Sequence, residues 1–409
     1  MLGDIRVLEV SAPATMLAGR ILADLGADVL TLEPPGGAPG RRMAPFVGAQ
    51  PGLERSLTWQ ALNYNKRGIT LNLAHPEGNR LFVALAAKCD VVIYTTQPGL
   101  PNPLDAAELP DHIIRTVIRP FSKAGPKAEY LPSEMVLMAA SGAPGLAGEP
   151  DRPPLFFPSP QALMEAGAEA AVVTLSALIA RDRDGKGQIA EVSNRIAATA
   201  PALGRVIAGF SGDQLPVRSY TPGGALSGTV SLPSMYRCRD GFILLQIVLN
   251  GLFADMTTKI TRWLIGECEL DCKYQDFDWS SCVRSPAQPT PATEPVESLI
   301  SALTRTCARM TKTQITAAAR ANGFMAAPVM DMKDIAEFPQ YRERGLFASA
   351  VIHPNETRVE VPARFAKLDR DPIEIKRPAP LLSQHTMEVL QELGVSADEL
   401  QALYIHEVI

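Results

Sequence analysis

Residues 5–10 (Ile-Arg-Val-Leu-Glu-Val) form a short, nearly continuous apolar strand, followed by the small-residue loop Ser11-Ala12-Pro13-Ala14. Leu17, Ile21, Leu22 and Leu25 then recur on one face of a helix, Gly26 is placed to end it, and residues 27–32 read as a second strand. Strand, helix and strand within about 30 residues make a βαβ unit, which demands a parallel sheet. A third strand fits residues 89–94, preceded by a helix over 76–88, and a fourth fits 113–118. The N-terminal third is therefore α/β of doubly wound type.

An Ala-rich helix is predicted from 160 to 181, with Leu163, Ala166, Ala170, Val173, Ala177 and Leu178 spaced by threes and fours. Asp184-Gly185-Lys186-Gly187 breaks it, and 188–192 reads as another strand. The composition then changes to turn clusters (Thr221-Pro222-Gly223-Gly224), short strands over 241–248 and a Pro-rich run at 284–295. The division expected is a large domain over 1–204 and 326–409, with a smaller α+β domain over 205–325. A closing helix is expected at 387–393.

The chain has 409 residues, long for a single core, with 46% hydrophobic and 20% charged residues, a globular composition. Its net charge of -5 supplies no basic field for nucleic acid. No charged segment followed by an apolar stretch opens the chain, and no run of 18 or more apolar residues occurs. Secretion and a membrane partner are thus not expected. Six cysteines spread over this length suit reduced thiols in a cytoplasm.

Several blocks carry a family resemblance. They are Leu22-Ala23-Asp24-Leu25-Gly26-Ala27-Asp28-Val29 with Glu33-Pro34-Pro35-Gly36, and Asn63-Tyr64-Asn65-Lys66-Arg67-Gly68-Ile69-Thr70-Leu71. Gly125-Pro126 with Ala140-Ser141-Gly142, the run from Arg181 to Gln188, Ala327-Pro328-Val329, and the segment from Pro378 to Thr386 follow in order. Together they resemble the class III CoA-transferases of formyl-CoA transferase and carnitine CoA-transferase (CaiB/BaiF) type. The resemblance implies a Rossmann-like large domain built from both chain ends, a small domain between, and two subunits interlocked in a dimer. It implies CoA transfer between carboxylic acids, with a CoA thioester as substrate and no other bound cofactor.

That chemistry begins with an Asp carboxylate attacking the acyl thioester. The family's Asp position, counted back from Arg181 and Gly167, falls on Leu163. Glu165 offers a substitute carboxylate, although two residues along a helix turn the side chain by about 200°. Its plainer reading is a solvated carboxylate favoured by the helix dipole. The family's racemase branch needs a His where this chain has Ser133, followed by Glu134, and an Asp in the Ala162/Leu163 region. Both are missing.

On the CoA side, the family's Asn-Phe-Arg-Pro-Gly corresponds to Thr95-Thr96-Gln97-Pro98-Gly99, with no fixed positive charge. Arg41, Arg42, Lys66 and Arg67 are the candidates left for CoA, against a plainer reading as surface charge. A fold kept without its nucleophile implies a partner: a homologous, Asp-bearing subunit in an interlocked heterodimer or heterotetramer. The segment from Pro158 to Ala171 resembles the Asp-less subunit of such a pair. The alternatives are an active homodimer using Glu165 and a non-catalytic acyl-CoA-binding protein.

Other motifs are weaker. Cys268 and Cys272 make one pair at zinc-site spacing, but Cys282 is loose and Cys238 only nearby, so no full ligand set is in place and no metal is expected. The loop from Gly36 to Gly40 lacks the Gly-Lys-Ser/Thr of a phosphate loop. His385 is expected to cap or pack. His75, His112, His353 and His406 have no partner at a spacing that suggests a hydrolase triad.

Overall fold

In the computed structural model, β1 (Arg6–Val10) lies between β2 (Asp28–Glu33) and β4 (Val91–Thr95), both parallel to it, with Val7 opposite Val29 and Val91. Such a strand is covered on both faces, so Val7 and Leu8 are both fully buried and little alternation survives in the sequence. β3 (Arg67–Thr70), β5 (Ile114–Arg119) and β6 (Ile189–Ser193) complete a six-stranded sheet of order β3-β2-β1-β4-β5-β6, parallel throughout. The strand order reverses between β1 and β4, a topological switch point of the kind where open α/β sheets bind ligands. The structure describes residues 1–96, 109–148, 151–211, 226–227, 230–249, 253–283 and 293–409. The sequence expectations at Gln97-Pro98-Gly99, at 221–224 and across most of 284–295 lie outside them.

Two helices cover one face of the sheet. α1 (Met16–Asp24) crosses from β1 to β2, and α5 (Gln161–Asp184) packs beside it. Their shared core holds Val7, Leu22, Val91, Ile93, Ala166, Ala170 and Ala177. The small side chains of α5 permit close approach: a Cβ on Gly167 would stand 3.0 Å from Leu17 Cβ and 3.2 Å from the Ala14 carbonyl oxygen. α5 runs three residues beyond the predicted end because Gly185, at φ 74°, accepts the left-handed cap that stops it. Among the described residues α5 is the one helix long and apolar enough to cross a bilayer by length and composition. Here its alanine stripe is packed in the core.

The opposite face is covered by α3 (Pro76–Ala86) and by two helices from the end of the chain, α13 (Thr386–Glu392) and α14 (Ala397–Ile405). Leu8, Leu30, Phe82, Leu85, Val389, Leu390 and Leu400 form this second core. α2 (Leu57–Asn63), α4 (Glu134–Ser141), α6 (Asn194–Ala197), α7 (Leu203–Ser211), α12 (Pro339–Glu343) and the hairpin β12 (Phe347–Ile352) to β13 (Thr357–Pro362) complete this unit. It comprises Met1–Gly145, Phe156–Leu215 and Pro339–Ile409.

The second unit is Leu146–Leu155 with Pro216–Phe338. A short hairpin, β7 (Leu226–Ser227) and β8 (Val230–Ser231), comes first. β9 (Met235–Cys238), β10 (Gly241–Leu245) and β11 (Ala326–Val329) then form an antiparallel sheet with β10 in the middle. α8 (Asp255–Gly266), α9 (Glu294–Arg309) and α10 (Lys312–Asn322) bury Ile260, Trp263, Leu299 and Leu303 against Tyr236, Ile243 and Leu245. The short α11 (Met332–Glu337) ends it.

Candidate active site

At the carboxyl ends of β1, β4 and β5, beside the switch point, lies a cavity of about 210 Å³. The loop after β1 (residues 12–14), Thr95 at the end of β4 with Thr96 after it, and Ile118 of β5 with Pro120 after it line one side. Ser133 just before α4, Glu134 and Leu137 of α4, Leu163 of α5 and Asn194 of α6 close the other.

Leu163 therefore lines this cavity from the first turn of α5. The first N–H groups of a helix have no partner within it, and here Glu134 supplies one. Its Oε1 accepts the Ala162 N–H at 2.8 Å and its Oε2 the Leu163 N–H at 3.3 Å. The positive end of the helix dipole favours a carboxylate at this point. Asn194 is buried, and its Oδ1 has no hydrogen-bond partner among the described residues. Among the described residues that line the cavity there is no Lys, Arg or His.

Glu165 is not the solvated carboxylate that its place near the helix start suggests. It is half-buried, and its Oε2 is enclosed without a partner among the described residues. Burial, and then the charges of Glu134 and Glu169, push its carboxyl above the usual range.

The four basic candidates are dispersed. Arg41 is fully buried: it donates to Glu33 Oε2 at 2.7 Å and Oε1 at 2.8 Å, to Glu54 Oε2 at 2.7 Å and to the Pro380 carbonyl at 3.0 Å. Its guanidinium also stacks 4.1 Å from the Trp59 ring. Lys66, equally buried, donates to Glu9 Oε2 at 2.6 Å, Asn63 Oδ1 at 2.8 Å and the Met16 carbonyl at 2.9 Å. All three ammonium protons have partners. Surface charge is thus the wrong description of both. Arg67 pairs with Asp28, Glu388 and Glu392 and borders a polar cavity of about 550 Å³ with Asp24, Asn65, Lys376 and Arg377. That cavity opens at the amino ends of β1 to β3, the other edge of the sheet. Arg42 is exposed, with its guanidinium on the carbonyls of Gly36 and Gly37.

Glutamates at Glu9 and Glu33, inside otherwise apolar strands, were the one sign in the sequence that cations would be buried beside them. The capping role of Glu134 had no such sign. His385 precedes α13, and its Nδ1 accepts the Gly68 N–H at 3.1 Å. Among the described residues no group of His, Cys, Asp and Glu side chains could hold a metal ion.

Comparison with known proteins agrees with this architecture. Over 407 residues the chain is 29% identical to succinyl-CoA:(R)-benzylsuccinate CoA-transferase subunit BbsE of Thauera aromatica, covering 97% of this chain and 95% of that protein. It is 25% identical over 403 residues to the succinyl-CoA:glutarate CoA-transferase of Mus musculus, covering 96% of this chain and 86% of that protein. The crystal structure of a CAIB/BAIF family protein from Brucella suis shares the fold, with a TM-score of 0.77, 23% identity, and coverage of 95% of this chain and 98% of that one. The family model of CoA-transferase family III matches residues 2–386, the whole six-stranded sheet and everything that lines the Leu163 cavity, and the chain belongs to that family.

Proposed function

We propose that this chain is the nucleophile-free subunit of a heteromeric CoA-transferase, working with a homologous subunit that carries the Asp. The observation that carries the reading is Leu163, an alkyl side chain on the cavity at the switch point of the sheet. In the family reaction a carboxylate attacks the thioester carbonyl and expels CoA thiolate, leaving a mixed anhydride. Thiolate then returns to the enzyme's acyl carbon, releasing the first acid and leaving CoA on the enzyme as a thioester. Leucine has no lone pair with which to begin. In this reading the Rossmann-like large domain, built from both chain ends, is kept for interlocking with the partner. The acid taken is benzylsuccinate and the donor succinyl-CoA, by analogy with the Thauera aromatica relative. From this chain, Arg42 is assigned to CoA because it is exposed, while Arg41 and Lys66 brace the loop and strand around it.

A second reading rests on one observation. Glu165 has an enclosed carboxyl oxygen with no partner among the described residues, in the same turn of α5, and a homodimer could use it as nucleophile. One experiment separates the two. The chain is co-expressed with an Asp-bearing homologue, purified through a tag on this chain, and incubated with succinyl-CoA and hydroxylamine. The heteromer reading expects co-purification in a fixed ratio, a hydroxamate on the partner's Asp, and activity that is lost when that Asp is changed to Ala. A hydroxamate on Glu165, or recovery of a homodimer only, would refute it.

A further inference from the structure

An enzyme that exchanges CoA between carboxylic acids must admit a free carboxylate, and an unoccupied helix N-terminus is a natural place to hold one. In this chain that place is taken. Glu134 already accepts the Ala162 and Leu163 N–H groups at 2.8 and 3.3 Å. It lies on the wall of the Leu163 cavity, whose described lining has no cationic side chain to offset it. A second carboxylate brought to this cavity meets a fixed like charge on the N–H groups it would need. The crowding is already felt by Glu165, whose carboxyl is raised first by burial and then by Glu134 and Glu169.

The rest of the cavity suits a different ligand. Leu163, Leu137, Ile118 and prolines give it an apolar wall, and about 210 Å³ holds a single small ring or short acyl chain. Asn194 borders it, only 4% exposed, with an Oδ1 that accepts from no described residue. Its side-chain amide is a polar group beside an otherwise apolar wall, and an uncharged ligand that carries both a donor and an acceptor can match it in either orientation.

We propose that Glu134 makes this cavity a binding site for a small uncharged polar ligand, a primary amide for instance, and closes it to free carboxylates. The inference rests on reading the cavity as the counterpart of the family's reaction site. It adds that the counterpart has changed its ligand charge as well as losing its nucleophile.

Benzamide and benzoate are matched probes, alike in shape and different in charge. Binding of each is measured at pH 7 by ligand-observed NMR on the protein as purified, for wild type, Glu134→Gln and Leu163→Trp. Leu163→Trp fills the cavity, so the part of each signal that it abolishes belongs to this site. Glu134→Gln keeps an oxygen for a backbone N–H and removes the charge. Wild type should prefer benzamide by at least about 10-fold at this site, since like-charge juxtaposition costs that much or more. Glu134→Gln should bring the two within about 3-fold, through a gain in benzoate. The inference is overturned if wild type binds benzoate as well as benzamide, if the preference is unchanged in Glu134→Gln, or if Leu163→Trp abolishes binding of neither probe. Benzoate binding to wild type would leave the heteromer standing, whereas a Glu165 hydroxamate would remove the heteromer and leave the amide preference intact.

Discussion

The ammonium of Lys66 lies 2.6 Å from Glu9 Oε2, and neither side chain has any solvent exposure. The pair ties the start of β3 to the middle of β1, under α1. Burial drives the Lys66 ammonium below its ordinary range, and the Glu9 charge and hydrogen bond only partly restore it. Removing one partner leaves the other charge buried and unpaired. Lys66→Met should therefore destabilise the protein by about 3–5 kcal/mol in urea unfolding. Lys66→Met combined with Glu9→Leu should recover much of that loss. An additive double variant would show that the two charges do not act as a pair.

The same pair explains a glycine. A Cβ on Gly19 would fall 2.1 Å from Glu9 Oε2 and 2.9 Å from Lys66 Nζ, both of them pinned. Gly19→Ala should cost about 1–3 kcal/mol through overpacking, despite the better helix propensity of alanine. A Cβ on Gly204 in α7 would meet nothing within 4 Å among the described residues, and Gly204→Ala should be neutral or stabilising by up to about 1 kcal/mol. Thermal unfolding of the two variants side by side checks this.

Arg67 governs the acid limb. Burial pushes the Asp28 carboxyl up, but its hydrogen bond to Arg67 and the charges of Arg67 and Arg6 outweigh that and hold it low. Glu392 is held low first by its hydrogen bond to Arg67. Carboxyls depressed in the folded state contribute fully above their ordinary values of 3.8 and 4.5, and that contribution disappears as pH falls through the lower folded values. Stability should thus be level from about pH 6 to 5 and fall below about pH 4. Arg67→Met should be less stable than wild type at pH 6, with the gap narrowing towards pH 3. A gap that widens on acidification would contradict the assignment.

Leu163→Asp should not restore family-level turnover to the isolated chain. Loss of a nucleophile from a working unit costs on the order of 10⁶ in rate, and replacing the group alone restores it only if the surroundings remain. Here the N–H of residue 163 is already bonded to Glu134, and Glu165 adds a third carboxyl to the same turn. Adding Glu134→Gln to Leu163→Asp should increase hydroxamate trapping from succinyl-CoA over Leu163→Asp alone. Full turnover from Leu163→Asp by itself would show that the loss is confined to one residue.

Much of this was legible in the chain. The βαβ unit of residues 5–32 entailed a parallel sheet because the periods of strand and helix leave few other ways to cover both faces. The 3.6-residue spacing of α5 placed Leu163 and the alanine stripe on a packed face. Local propensity and periodicity act over a turn or two, and within that reach the sequence alone marked β1, α1, β2, α3, β4, β5, α5 and β6 in order, while the edge strand β3 was not read from it.

Only the tertiary structure decided where the charges went. Arg41 meets the Pro380 carbonyl 339 residues away, and Arg67 meets Glu392 at a separation of 325. α13 and α14 cover a sheet face opened by the first strands of the chain. Glu134 reaches the N–H of Ala162, 28 residues on, because α4 and α5 begin at the same edge of the sheet. No local pattern encodes such a pairing: a lone Glu or Arg has the same backbone preference whether it ends in water or in a core. Its burial is settled by whether a partner arrives to offset desolvation, and that is a property of the packed fold.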